Sequence, residues 1–400
     1  MASVSLPAGL PTGDDVQEKV GRQEFVVESA RPPLQTSGKA KTYNRIKLTT
    51  GIASAVLSFV VLLLLVVNGT TKDLEAWAYS VASNSYVALL LFSVALGLVQ
   101  SAVTLPLGFY SGFYIEHKFN LSNQTIWRWV WERLKGMLVG LPIGVGVLLL
   151  LYYCLNEYGT IWWLPVSVGL TFLSVGLARI APVVILPLFY KLTPLENNSL
   201  KERILNLCAS AGVKIEGIFS FNLSKNTKKA NAAFTGIGRA KRIILGDTLL
   251  MDFTEDEIET VFAHELGHYT HHHIRTGIII STVSTFLGLY ITAHLYAWSS
   301  SVFGFSSITE LAALPLLALW LSLFGVATSP IGNAVSRRHE RQADKYAVKK
   351  SGKRDTFVSA LQKLASNNLA DPKPHPLVEF LFYSHPSIAK RIRMVETVAT

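Results

Sequence analysis

Six long, almost uncharged apolar stretches dominate the pattern of hydrophobic and polar positions along the chain. They cover residues 48–67, 86–109, 137–155, 161–189, 277–298 and 308–330. A helix of about 20 apolar residues crosses the hydrocarbon core of a bilayer, and it satisfies its backbone hydrogen bonds internally. The pattern therefore predicts an α-helical integral membrane protein with about six transmembrane helices.

Two longer polar stretches, residues 191–276 and 331–400, have a different pattern. In the first, residues 200–212 have helical periodicity, and strand-like runs follow at 217–223 and 242–245. Thr254 and Glu257 then form a capping-box pattern that starts another helix. We expect these stretches to build a mostly helical α+β domain with a small sheet.

The predicted organisation has five parts. They are a flexible tail at residues 1–40, a four-span membrane domain at 41–190, the first part of the polar domain at 191–276, a two-span hairpin at 277–330, and the second part of the polar domain at 331–400. The tail is polar, mixed in charge, and lacks the apolar core of a signal peptide. Because two spans return the chain to the side it left, both parts of the polar domain can fold together.

Composition and charge agree with a membrane protein. Half of the residues are hydrophobic, 16% are charged and the mean hydropathy is +0.34. The loops near residues 68–85, 156–160 and 299–307 contain only Lys72 among lysines and arginines, and the other polar segments are rich in both. This asymmetry predicts that both termini and the polar domain are cytosolic. The net charge of +10 then fits contact with the lipid bilayer, and without a nucleic-acid-binding motif we expect no nucleic-acid partner.

Residues 261–274, VFAHELGHYTHHHI, contain five of the ten histidines. On a helix His264 and His268 share one face, so both can bind one metal, and Glu265 lies beside that metal without binding it. This HExxH pattern is typical of zinc metallopeptidases, in which zinc acidifies a water molecule and the glutamate accepts its proton. A chain of this composition contains the pattern by chance about 0.01 times, so a surface helix that merely carries histidines is the weaker alternative.

His271, His272 and His273 follow directly. Three consecutive imidazoles cannot share one helix face. We interpret them as polar residues at the membrane interface in preference to metal ligands, so that the cluster divides into two binding histidines and three bystanders.

A third protein ligand must come from elsewhere in the chain. After the hairpin, residues 333–352 (NAVSRRHERQADKYAVKKSG) place Glu340 and Asp344 four apart on a predicted helix, a spacing at which like charges repel unless a cation balances them. In one interpretation Glu340 binds zinc, and Asp344 accepts a hydrogen bond from a ligand histidine. In the other, nearby cations pair with both acids on a solvated face, and the sequence leaves both open. These cations are Arg337, Arg338, Arg341 and Lys345.

Several segments, taken in order, resemble one family. SRRHERQAD after HELGH and a two-span hairpin is similar to the integral-membrane zinc metallopeptidases that include the type I CaaX prenyl protease and the bacterial heat-shock membrane protease. Four further segments resemble the prenyl-protease branch: LPLGFYSGFYIEHKFNLSNQT at 105–125, ILPLFYKLTPLE at 185–196, NAAFTGIGRAKRIILGDTLL at 231–250 and YSHPSIAKRI at 383–392. The likeness covers about residues 45–400.

The resemblance implies further roles for named residues. Glu340 becomes the expected third zinc ligand, and His385 the donor to the oxyanion of the tetrahedral intermediate. Asn231, Ala232, Ala233 and Phe234 match an edge strand to which an extended substrate would add. Residues 384–386 also fit a helix start with Pro386 at the first helical position. The membrane helices are expected to enclose a chamber that the zincin-like catalytic domain faces.

The chain departs from this family in two places. The prenyl protease has seven spans, whereas six are predicted here, and the missing one would precede residue 48. The segment before residue 231 reads SKNTKKANAAF at 224–234, where the family has a run that carries serine and histidine. Both departures bear on substrate specificity, and neither touches the residues expected to bind zinc.

The sequence thus predicts a membrane-embedded zinc metalloendopeptidase with one Zn²⁺ per chain. Its expected substrates are prenylated C-terminal CaaX peptides, or else misfolded and membrane-associated proteins. The alternative is a non-catalytic membrane scaffold or chaperone that retains a structural zinc. Because Glu265 is present, the general base needed for hydrolysis is intact, which favours the enzyme.

Overall fold

The computed structural model describes residues 38–235 and 242–398. The predicted tail, residues 1–40, lies outside the described residues except for its last three, which begin the first helix. The helices are α1 Gly38–Val67, α2 Thr70–Val81, α3 Ser85–Phe109, α4 Ile115–Lys118, α5 Ile126–Tyr158, α6 Trp163–Ile180, α7 Leu186–Phe189, α8 Asn198–Ser210, α9 Asp247–Asp252, α10 Glu255–Thr270, α11 His273–Val302, α12 Leu314–Ser351, α13 Arg354–Asn367, α14 Pro376–Phe382 and α15 Ile388–Glu396. The strands are β1 Leu192–Pro194, β2 Gly217–Phe221, β3 Ala232–Thr235 and β4 Arg242–Gly246.

In the described part of the chain, six helical segments are long and apolar enough to cross a membrane. They are Gly38–Val67, Ser85–Lys118, Ile126–Ile161, Trp163–Phe189, His273–Val302 and Leu311–Ser351. Each coincides with one of the six predicted apolar stretches, so that prediction is confirmed. Large apolar side chains project outwards from these helices: Leu98 is 67% exposed and Phe172 76%. Such surfaces suit a hydrocarbon solvent.

A buried apolar cluster joins the two-span hairpin to the first, third and fourth spans. Trp162 and Tyr296 are its largest fully buried side chains, and α1, α5, α6, α11 and α12 all contribute to it. The Tyr296 hydroxyl donates to the backbone oxygen of Ile308 at 2.8 Å, which satisfies the one polar atom of that ring. The hairpin formed by α11 and α12 is therefore fixed against the rest of the membrane part.

The small predicted sheet is present, with the strand order β1-β2-β4-β3. Strand β2 runs parallel to β4, and the β1–β2 and β3–β4 pairs are antiparallel. The predicted helix at 200–212 corresponds to α8. Gly212 follows that helix with a φ of +66°, a left-handed conformation that glycine adopts without a steric penalty. Strand β3 lies at an edge of the sheet, next to α10.

Helix α10 begins where the capping-box pattern predicts. The Thr254 side chain accepts from the Glu257 backbone N–H at 3.3 Å, and the Thr254 backbone N–H donates to Glu257 Oε2 at 2.9 Å. Two of the N–H groups that a helix start leaves unpaired are satisfied in this way. The local sequence alone thus fixes the start of the helix that carries the HExxH pattern.

Helix α12 is continuous from Leu314 to Ser351 and contains Pro330. It therefore unites the last predicted span with the predicted helix that carries Glu340 and Asp344. The boundaries expected at 276/277 and 330/331 fall inside α11 and α12, so no loop separates the membrane spans from the polar domain at either place. The position of Glu340 is set directly by a membrane helix.

Candidate active site

His264 and His268 lie one turn apart on α10, and both point towards α12. Their Nε2 atoms are 3.2 Å apart, and His264 is buried with 8% exposure. Most of α10 is buried, because it packs between the sheet and the helices that follow it in the chain. The structure therefore places the two imidazoles together on one helix face, as the sequence predicts.

Glu340 of α12 faces the same two imidazoles. Its Oε1 lies 3.2 Å from His268 Nε2, and its Oε2 lies 3.5 Å from His264 Nε2. One nitrogen or oxygen from each of the three residues falls within 4.8 Å of the others. Close packing makes this possible: a Cβ added at Gly267 would lie only 3.0 Å from the Cα of Ala343. The glycine of HELGH is the place where the two helices meet.

Asp344 lies one turn beyond Glu340, is fully buried, and contacts the ring nitrogen of His264 that faces away from Glu340. Its Oδ1 is 2.8 Å from His264 Nδ1, the position expected for a residue that orients a metal-binding histidine. Arg391 of α15 balances the charge of Asp344, with Nη2 at 2.6 Å from Oδ1 and Nε at 2.9 Å from Oδ2. Sequence reasoning missed Arg391, although the close spacing of the two acids had indicated that a cation was needed.

The alternative in which nearby cations pair with both acids on a solvated face is wrong. Glu340 and Asp344 are 4% and 0% exposed. Arg337 donates instead to the backbone oxygens of Glu379, Phe380 and Tyr383. The guanidinium of Arg337 is thus bound to the C-terminal end of α14. The cation that pairs with Asp344 is Arg391 of α15.

Burial and hydrogen bonding act in opposite directions on His264. Burial disfavours the charged imidazolium, but the hydrogen bonds to Asp344 and Glu340 outweigh it and raise the pKa of His264 to about 9. A metal binds the neutral imidazole, so in the metal-free protein it must displace a proton here.

The residues fit a zinc ion. Glu340 Oε2 is buried and accepts no hydrogen bond from any described residue, which is costly for a carboxylate oxygen unless a cation binds it. Two imidazoles and one carboxylate form the three-ligand set found in catalytic zinc sites, in which the fourth position is left for water or substrate. The donor set and the carboxylate oxygen without a hydrogen bond both favour a metal here.

Glu265 and His385 border the same cleft, which has a volume of about 720 Å³. His385 Nε2 lies 3.3 Å from Glu340 Oε1, and its Nδ1 is 2.9 Å from the Ser384 hydroxyl. The prediction that Pro386 opens the next helix is wrong. The backbone oxygen of Ser387 accepts the first bonds of α15, from Lys390 and Arg391, so Ser387 is the N-cap and Pro386 precedes it.

The four residues expected to bind substrate divide between two faces of β3. Asn231, Ala232 and Phe234 line the cleft, whereas Ala233 packs against the buried cluster on the other face of the sheet. Ala232 and Phe234 alternate with Ala233 along β3, which explains their opposite faces, and Asn231 lies just before the strand. The Gly246 N–H donates to the Asn231 backbone oxygen, and hydrogen-bonded pairs alternate along an antiparallel ladder. The register of β3 on β4 therefore directs the main-chain groups of Ala232 and Phe234 to the free strand edge.

The three histidines after His268 are not equivalent. His271 and His272 are exposed, whereas His273 is 7% exposed. None of the three belongs to the described metal-ligand group of His264, His268 and Glu340. His273 contacts His268 directly and is a second residue that sequence reasoning did not single out.

A multi-span membrane protein that packs an HExxH helix against a buried glutamate is, by class, an integral-membrane metallopeptidase. The model of peptidase family M48 matches residues 194–399, and the model of the CAAX prenyl protease N-terminal part, with five membrane helices, matches residues 29–191. The chain belongs to peptidase family M48. Within the described part of the second match we find four membrane-capable segments.

Individual relatives agree with this family. The chain is 32% identical over 361 residues to an uncharacterized metalloprotease, YhfN, of Bacillus subtilis, over 89% of this chain and 84% of the relative. It is 34% identical over 325 residues to CAAX prenyl protease 1 of Saccharomyces cerevisiae, over 76% and 72%. The crystal structure of S. mikatae Ste24p superposes with a TM-score of 0.82 at 30% identity and covers 91% of each chain. The chain is therefore a membrane metalloendopeptidase, and the scaffold alternative has no support.

Proposed function

We propose that this protein is a zinc endopeptidase that removes residues from prenylated C-terminal CaaX peptides. His264, His268 and Glu340 hold one Zn²⁺ per chain. The observation that carries this assignment is that one ligand atom from each of the three residues lies within 4.8 Å of the other two, beside a buried Glu340 Oε2 that accepts no hydrogen bond from any described residue. When bound, zinc acidifies a water molecule and polarises the scissile carbonyl.

The protein's own groups then move protons and stabilise charge. Glu265, on the cleft side of α10, accepts the proton of the attacking water and passes it to the leaving amine. His385 donates a hydrogen bond to the oxyanion, since its Nε2 points at the ligand cluster from the opposite wall. Asp344 keeps Nδ1 of His264 engaged, so that Nε2 faces the metal.

The substrate assignment rests on the cleft and on the relatives. The free edge of β3 borders the cleft and offers main-chain hydrogen bonds to an extended peptide. Apolar side chains also line the cleft and suit the aliphatic residues of a CaaX sequence: Val261, Phe357, Leu361, Leu364 and Ile388. Several relatives carry the name CAAX prenyl protease 1. The Lys and Arg distribution supports a cytosolic active site, the compartment where prenylated C-termini lie.

The test is a cleavage assay in detergent with wild type, Glu265→Gln and the surface control Glu202→Gln. The substrates are a farnesylated CaaX peptide, its unprenylated twin and an unfolded polypeptide. We expect wild type and control to cut the farnesylated peptide, and Glu265→Gln to be slower by about 10²–10⁴-fold with unchanged zinc content.

Two results would overturn parts of the proposal. Cleavage by Glu265→Gln at the wild-type rate would remove Glu265 as the base. Preference of wild type for the unfolded polypeptide would replace CaaX processing with degradation of misfolded proteins.

A further inference from the structure

The nitrogen of His268 that faces away from the ligand cluster has a histidine partner. Nε2 of His268 lies near His264 and Glu340, and its Nδ1 is 3.0 Å from Nδ1 of His273. Nε2 of His273 is in turn 3.0 Å from Oε1 of Gln342. A chain of two hydrogen bonds thus runs from His268 through the first residue of α11 to α12.

The protons in this chain can be assigned from either end. An amide oxygen only accepts, so Nε2 of His273 carries the hydrogen, and Nδ1 of a neutral His273 is an acceptor. His268 must then donate through Nδ1, which leaves the lone pair of its Nε2 free. Starting instead from His268 as a metal ligand through Nε2, Nδ1 must carry the hydrogen, and the same sequence of donors follows. With both rings neutral, the geometry allows one arrangement of their hydrogens. In that arrangement Nε2 of His268 has a free lone pair and can bind metal.

The ring of His273 is fixed by its neighbours. It is buried, and it stacks on the His339 ring at 4.0 Å between centroids with 10° between planes. Imidazole lone pairs lie in the ring plane, so two nearly parallel rings this close cannot both direct nitrogens at one ion. A second metal site at these histidines is therefore excluded, and an orienting role is left.

The two zinc-facing histidines are supported differently. His264 is backed by the carboxylate of Asp344, which is itself paired with Arg391. His268 is backed by the uncharged pair His273 and Gln342. An ion pair thus orients His264, whereas two hydrogen bonds between uncharged groups orient His268.

We propose that His273 and Gln342 form a neutral relay that holds His268 in its metal-binding tautomer. This inference rests on the proposed function, because it takes His268 to be a zinc ligand. His273 is a positioning residue that acts through His268. Partners of this kind are worth about 10–100-fold in metal affinity.

The experiment measures zinc affinity of the full chain in detergent, by competition with a chromophoric chelator at fixed pH. His273→Phe keeps a ring on His339 and removes both hydrogen bonds, and we expect zinc binding at least about tenfold weaker. His273→Asn places Oδ1 near the position of Nδ1, so it can still accept from His268 and should recover most of the affinity. His339→Phe, a change in the same ring stack, should bind zinc like wild type.

The visible absorption of the cobalt-substituted protein gives a second readout. It should shift in His273→Phe and return towards wild type in His273→Asn. Wild-type zinc affinity in His273→Phe would overturn the relay. Equal weakening by Phe and Asn, with an equal loss of thermal stability in the metal-free protein, would assign His273 to packing and also overturn it.

Failure of the relay can be told apart from failure of the ligand assignment. His264→Ala and Glu340→Ala are measured in the same assay. If both lose zinc while His273→Phe does not, the relay alone is wrong. If both bind zinc like wild type, the proposed ligand set is wrong.

Discussion

At the scale of single residues, the site depends on a buried acid pair that one distant cation balances. Glu340 and Asp344 lie on consecutive turns of α12, and Arg391 approaches both. It donates two hydrogen bonds to Asp344, and its Nη1 is 3.7 Å from Glu340 Oε2. Their spacing made the two acids candidates and left a solvated face open as the alternative, and the family resemblance then indicated Glu340 as a zinc ligand. Arg391 could not be predicted in this way, because its pairing depends on how α15 docks on α12, about 50 residues away in the chain.

Asp344→Asn should weaken zinc binding and destabilise the protein. The substitution removes the nearer of the two acids beside the guanidinium of Arg391 and leaves only Glu340, at 3.7 Å; loss of one partner of a buried ion pair costs about 3–5 kcal/mol of unfolding free energy. It also removes the charged acceptor behind His264, and zinc affinity should fall by about 10–100-fold. Chelator competition and denaturant unfolding in detergent measure the two effects, with Glu202→Gln as the unaffected control. Unchanged zinc affinity would contradict the orienting role of Asp344.

At the scale of elements, the position of α10 depends on one acid at its start and on one glycine in its last turn. Glu257, 4% exposed, accepts from the Thr254 backbone, from the Ser359 hydroxyl at 2.7 Å and from Lys363 at 2.6 Å. Burial alone would raise the pKa of Glu257, but these hydrogen bonds outweigh it and lower the pKa below its usual range. The capping box was visible in the sequence, whereas the partners on α13 depend on tertiary packing.

Glu257→Gln should reveal a pH-dependent part of the stability. Because the folded-state pKa is lower than the unfolded one, the charged form stabilises the fold above about pH 4.5. This contribution is lost as the pH falls further, through the folded-state pKa. At pH 7 we expect the variant to be less stable by about 2 kcal/mol, and the difference from wild type to shrink in acid. Thermal unfolding from pH 7 to well below pH 4, through the folded-state pKa, tests this; a difference that stays constant over that whole range would contradict it.

Gly267→Ala should separate the ligands of α10 from Glu340. The added Cβ would lie 3.0 Å from the Cα of Ala343 and 3.2 Å from its backbone oxygen, so the helices must move apart at a cost of about 1–3 kcal/mol. We expect weaker zinc binding and slower cleavage. Gly277→Ala on α11 is the matched control, because a Cβ there meets nothing within 4 Å. Equal behaviour of the two variants would show that α10 and α12 tolerate a wider spacing.

At the scale of the whole molecule, the sequence predicted the fold class and missed contacts made across it. Apolar length gave the six membrane-capable segments, because that signal needs no tertiary information. The outward or inward direction of β3 side chains, such as Ala233, was not predictable, since it depends on which face of the sheet meets α10. Likewise His273 could not be distinguished from His271 and His272 before the helix break at His272, where φ is +56°, was known.

Orientation in the membrane gives a prediction for the intact protein. Ser306 and Lys373 are both exposed, and they lie before and after α12 in the chain. In sealed membrane vesicles with the cytosolic face outward, a membrane-impermeant maleimide should label Lys373→Cys, and it should label Ser306→Cys only after the vesicles are opened, because the polar domain is expected to be cytosolic. The native Cys154 and Cys208 are buried, so background labelling should be low. The reverse pattern would place the active site on the opposite side.

The continuity of α12 also determines when the enzyme becomes active during its biosynthesis. The ribosome makes His264 and His268 before α11, and it makes Glu340 only after both spans of the hairpin have been translated. Arg391 follows near the very end of the chain. A nascent chain that has not inserted the α11–α12 hairpin therefore lacks one of the three proposed zinc ligands, and we expect no proteolytic activity before this hairpin is in the membrane.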